Sequence, residues 1–101
     1  MKSRLDFHTM LQELQLTPNL YFQPPETTKL KYPCIIYKLD PPDVKHAGNI
    51  KYLVTKRYRL TYIDKNPDAE APDVLLSLPY CSFDSNYASE NLHHWVFSIY
   101  Y

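Results

Sequence analysis

The adjacent histidines His93 and His94 invite a metal-site reading. They fall in an alternating run, however, and neighbouring residues of a strand point to opposite faces, so the pair cannot easily share one ion. Cys34 and Cys81 stand far apart, with neither paired-ligand spacing nor an activating motif around them. In a chain without an export signal they read as reduced core thiols, so neither a disulfide nor a metal is expected. Asp64, Asp68, Glu70 and Asp73 form the densest acidic stretch. General acid–base work needs a partner and a pocket, and the sequence shows neither; these carboxylates read as charges leading into a helix N-terminus. His8 falls on a helix surface or boundary. A single glycine cannot build a phosphate-cradling loop, and no serine sits in a nucleophile elbow. The expectation is a protein that is not an enzyme and that holds no cofactor.

What remains is recognition. Arg57 and Arg59 are two residues apart in the stretch Lys51 to Asp64, where parity decides the face on which each side chain stands. Tyr58, Leu60 and Tyr62 fall on one side, and Arg57, Arg59 and Thr61 on the other, which closes on Ile63. A helical wheel at about 100° per residue scatters the aromatic set, so this is a long, half-buried strand. Turned into a core, the two arginines would cost several kcal/mol each. They must face water, an acidic neighbour in the same chain, or an acidic surface on another subunit. Asp40, Asp43 and Asp64 lie near enough in sequence to neutralise them. Across a subunit boundary, Asp64, Asp68, Glu70 and Asp73 are the candidate partners. The stretch Asp40–Asn49, with Asp43, Lys45 and His46, is longer than an ordinary hairpin loop and reads as a mobile tip or a partner-binding arm.

The surrounding elements follow in order. Phe7, Met10, Leu11 and Leu14 recur at helical spacing within residues 3–14, with Leu5 at the edge of the apolar face. Ser3 can cap this helix, and Asp6 lies near the positive end of its dipole. Thr17-Pro18 ends it. Asn19 to Gln23 is a short extended piece, closed by Pro24-Pro25. Cys34 to Leu39 is almost continuously apolar, which predicts a central strand covered on both faces, with the amino-terminal helix as one cover. Pro72 and Asp73 open a short helix in which Val74, Leu75 and Leu78 share a face, and Pro79 stops it. Ser82 to Ala88 alternates, with Phe83, Ser85 and Tyr87 against Asp84 and Asn86. Ser89-Glu90-Asn91 forms a turn. His93 to Tyr101 then sets Trp95, Phe97, Ile99 and Tyr101 against His94, Val96, Ser98 and Tyr100. The sum is one α+β domain over residues 1–101: a small mixed, mostly antiparallel sheet with an N-terminal helix and a short second helix packed on it.

Composition narrows the function. The 101 residues carry eleven basic and eleven acidic side chains, so there is no cationic excess of the kind that grips nucleic acid. No run of about eighteen apolar residues offers a membrane span, and the start lacks the apolar core of a signal peptide. Ten tyrosines beside four phenylalanines suit half-buried sheets and subunit interfaces.

Several runs carry a resemblance: Leu5-Asp6-Phe7-His8, Leu20-Tyr21-Phe22-Gln23-Pro24-Pro25-Glu26, Leu30 through Lys38, Tyr62 through Asp68, Leu78 through Phe83, and Asn91-Leu92-His93-His94. With the element order, they resemble small structural proteins of the head–tail connection in long-tailed bacteriophages, the tail terminator (tail completion) type above all. The resemblance implies a homo-oligomeric ring, sixfold in that family, that caps the tail tube and docks the head. Its partners would be further copies of itself, the tail tube protein and a head-completion or neck protein. DNA would pass through the channel without sequence-specific binding, and no membrane would be involved. Location would be the virion tail or neck, and the host cytoplasm during assembly. A head-closure (stopper) protein and a general cytoplasmic protein-interaction domain are the alternatives.

Overall fold

The computed structural model describes residues 3–40 and 57–101. Helix α1 (Arg4–Glu13) opens with a full capping box: Asp6 N–H donates to Ser3 Oγ at 3.2 Å, and Ser3 N–H donates to Asp6 Oδ2 at 2.9 Å. Strand β1 (Leu20–Phe22) runs parallel to β2 (Cys34–Leu39), and β2 pairs antiparallel with β3 (Arg57–Asp64). Helix α2 (Ala71–Leu76) leads to β4 (Cys81–Ser89) and β5 (Leu92–Tyr100), which pair with each other. Strand β5 also lies against β3, so the sheet order is β1-β2-β3-β5-β4. The expected α+β architecture is therefore the observed one.

Backbone hydrogen bonding explains why β1 lies where it does. The Thr17 hydroxyl donates to Pro33 O at 2.6 Å and accepts from Asn19 N–H, while Asn19 O accepts from Ile35 N–H at 2.9 Å. These bonds clamp the chain leaving α1 onto the start of β2. At the other end, Gln23 N–H donates to Tyr37 O and Gln23 Oε1 accepts from Leu39 N–H. Pro24-Pro25 follows, with no N–H groups to continue the ladder, so β1 stays short.

The register assigns the faces. Ile35, Tyr37, Tyr58, Leu60, Tyr62, Phe97 and Ile99 point to one side, where they meet Phe7 and Leu11 of α1 and Ala71 and Leu75 of α2. Phe7 is the pivot. Its ring stacks on Tyr58 (centroids 4.3 Å apart, 14° between planes) and meets Tyr37 edge-on at 5.3 Å. Both helices are too short to stand alone in water, so this burial is what holds them helical.

Some expectations are corrected. Leu5 is 63% exposed, because it lies off the arc that carries Phe7 and Leu11. Of the predicted face Val74, Leu75 and Leu78, Leu75 is fully buried, Leu78 packs half-buried against the core just beyond the helix and Val74 is exposed; α2 ends at Leu76, before Pro79. Strand β2 is internal to the sheet but helix-covered on one face alone: Ile36 is half-buried and Lys38 exposed. The alternation of β4 is also broken. Phe83 pairs with Phe97 but Ser85 pairs with Val96, so Asp84 is an extra, bulged residue. The bulge reverses parity, placing Phe83 on the core side and Ser85 and Tyr87 on the opposite side. The expected common face for Phe83, Ser85 and Tyr87 does not exist.

Candidate interaction face of the sheet

The side of the sheet away from the helices carries Ile36, Lys38, Arg57, Arg59, Thr61, His94, Val96 and Ser98. Strand parity also places Asp40 there, since its N–H extends the ladder by donating to Arg57 O at 2.9 Å. Asp40 stands between the two arginines. Its Oδ2 is 3.5 Å from Arg57 Nε and its Oδ1 is 3.9 Å from Arg59 Nε. Both separations exceed hydrogen-bond length, so this is a loose Coulombic pairing. Neither Nε has a hydrogen-bond acceptor among the described residues. Arg57 Nη2 donates to Ser98 Oγ at 3.2 Å, and the Ser98 hydroxyl donates to Asp84 Oδ2 at 2.5 Å. The bulge is what delivers Asp84 to this position.

Lys38 lies directly opposite Arg59 in the β2–β3 register. Like charges so placed repel, and sheets avoid them unless something compensates. Beside this pair is an open groove of about 430 Å³ lined by Ile36, Lys38, Arg59, Thr61, Tyr87 and Val96. Tyr87 is held by stacking on His94, with centroids 4.6 Å apart and 8° between planes.

The expected site residues separate into groups. Arg57 and Arg59 share this face, as their spacing predicts, and each has an acidic neighbour within its own chain. Asp68, Glu70 and Asp73 are exposed on the approach to and first turn of α2, and the structure does not bring them to the arginines. Asp64 is engaged locally: it accepts from the Tyr62 hydroxyl at 2.7 Å and from Asn66 N–H at 3.1 Å. Burial first, and then this bond to a carboxylate, push the Tyr62 phenol well above its ordinary range. Asn66 Oδ1 in turn accepts from Asp68 N–H at 3.0 Å, so the acidic connection is braced by successive side-chain turns. Asp43, Lys45 and His46 lie outside the described residues.

The remaining chemistry-bearing groups are dispersed. His8 Nδ1 lies 2.6 Å from the Tyr37 hydroxyl at the core margin. His93 and His94 project to opposite faces, opposite Asp64 and Ile63 respectively. Cys34 is buried and its thiol is pushed up to about 11 by burial. The Cys81 thiol is raised by burial and, secondarily, by Asp84. Two strands separate β2 from β4, about 14 Å, and the thiols stand on opposite faces, so they cannot bridge. Among the described residues no three or more His, Cys, Asp or Glu side chains converge to hold a metal ion.

Sequence reasoning named Asp40 as a possible neutraliser of the arginines but missed Lys38, Asp84 and Ser98 as parts of the face. Lys38 was legible in principle, since pairing the two flanking strands as a hairpin places it across from Arg59. The bulge that recruits Asp84 leaves no mark in the residue pattern. Compared with known proteins, the chain matches no family model, no curated protein and no solved structure.

Proposed function

We propose that the protein is a non-enzymatic structural subunit of the bacteriophage head–tail junction, a tail terminator whose copies form a ring that caps the tail tube and joins it to the head. The observation that carries the self-assembling part of this reading is the asymmetry of the sheet. One face is closed by α1 and α2, and the other presents Arg57 on the same face as an open groove lined by Lys38 and Arg59. Such a face suits a charged surface better than a reacting substrate, because the groove is open and none of its side chains forms a nucleophile–base pair. The phage assignment itself rests on the sequence resemblance. In this reading DNA slides through the channel without sequence-specific contact, in keeping with the zero net charge. A head-closure role would use the same kind of surface at a neighbouring position in the junction.

The test is the mass of the purified protein in solution together with negative-stain images. A closed ring with a central hole is expected. A compact monomer at about 100 µM refutes the proposal, and a ring that decorates neither tail-tube ends nor heads in a phage-assembly extract returns it to a general interaction domain.

A further inference from the structure

We propose that the groove on the open face receives the acidic connection before α2 of a second copy, with Asp68, Glu70 and Asp73 meeting Lys38, Arg57 and Arg59. This rests on the self-assembly reading above and names the two surfaces that would meet.

Charge imbalance comes first. Three cations occupy adjacent positions on β2 and β3, and among the described side chains Asp40 pairs with two of them, Arg57 at 3.5 Å and Arg59 at 3.9 Å. Asp84 is satisfied through Ser98. A cross-strand Lys38–Arg59 pair is unfavourable in isolation and becomes favourable once carboxylates enter between them. The arginine side chains are 42% exposed, while each Nε is buried and has no hydrogen-bond acceptor among the described residues.

The occupant follows from what the same chain exposes. Asp68, Glu70 and Asp73 are exposed carboxylates on a connection already braced by the Asp64–Asn66–Asp68 turns, so little ordering is needed on docking. They cannot serve their own groove. Ala71 and Leu75 anchor α2 in the core on the helix-covered side, and the cations stand on the other side. The contact is therefore between unlike surfaces of two copies, the head-to-tail arrangement that generates rings or filaments. Polyphosphate is the rival anion, but three cations are too few to track a nucleic-acid backbone, and a protein carboxylate fits the forked guanidiniums equally well.

Reciprocal charge reversal tests this. Arg57→Glu with Arg59→Glu reverses the groove, and Asp68→Lys with Glu70→Lys reverses the connection; the second pair alters exposed side chains only and so guards against loss of fold. Each double variant alone should self-associate about 100-fold more weakly than wild type at 150 mM salt. Mixed in equal amounts, they should regain the wild-type mass, because each then offers the other a complementary surface. If wild type forms rings and the Asp68/Glu70 variant does so equally well, this pairing is wrong while the proposed function stands. A mixture that stays dissociated also overturns it. Retention of wild type on duplex DNA at 150 mM salt, lost in the arginine variant, would assign the cations to phosphate instead. A monomeric wild type removes both readings.

Discussion

Replacing Phe7 by alanine tests the packing argument at its centre. The side chain has no exposed surface, and its ring touches Tyr58, Tyr37 and Tyr101 at centroid distances of 4.3, 5.3 and 5.1 Å. Buried Phe→Ala changes cost about 3–5 kcal/mol, and a three-ring setting belongs in the upper half of that range. A domain of 101 residues has about 5–15 kcal/mol in all, so the variant should lose about a quarter or more of its stability. Helix α1 should suffer most, since ten residues are below the length at which a helix persists unaided. Urea unfolding followed through the single tryptophan, Trp95 on β5, reads the effect directly. With a slope of about 2 kcal/mol per molar, the midpoint should fall by about 2 M with the slope unchanged. Leu5→Ala on the same helix is the control and should stay within about 0.5 kcal/mol. A Phe7→Ala loss below about 1 kcal/mol would mean that α1 is not seated over Tyr58, and the account of the core would fail.

Asp40→Asn should cost about 1 kcal/mol at low salt and less in 1 M NaCl, because it leaves two arginines facing each other without their shared carboxylate; a salt-independent effect would contradict the Coulombic account. Glu90 and Asn91 both hold positive φ (53° and 65°) between paired Ser89 and Leu92, the geometry of a type I′ turn. Glu90→Asn with Asn91→Gly should therefore stabilise by about 1 kcal/mol and raise Tm by about 5 °C, and an unchanged or lower Tm would argue against that turn. The Cys34 thiol, raised from 9.0 to about 11 in the folded state, favours the protonated form there. Its stabilising contribution is complete below pH 9 and is lost as pH rises through about 11. Unfolding of wild type at pH 7, 9 and 10.5 should show this decline, and Cys34→Ala, though less stable at pH 7, should show a shallower one. Equal slopes would refute it.

Much of the fold is written in local pattern. The Ser3–Asp6 cap, the Phe7–Leu11 stripe and the Tyr58–Leu60–Tyr62 alternation each need only neighbours in sequence to be read; α1 formed where its period predicts, as did the strand over Arg57–Asp64, residues 51–56 of the expected strand lying outside the described residues. The pairing of Arg57 and Arg59 on one face follows from parity alone. What lay beyond the sequence is whatever depends on residues far apart in it. Parallel docking of β1 on β2 is decided by Thr17 and Asn19 reaching Pro33, and the exposure of Ile36 and Lys38 by both helices choosing the other side. The bulge at Asp84 is the sharpest case. One unpaired residue turned Tyr87 from the side of Phe83 to the side of the arginines and brought a carboxylate to Ser98. Alternation within β4 gives no warning of it, because a bulge is set by how two strands fit together and not by the period of either one. Tertiary structure likewise separated the acidic connection from the cationic groove, since anchoring Ala71 and Leu75 in the core holds that connection on the far side of the sheet.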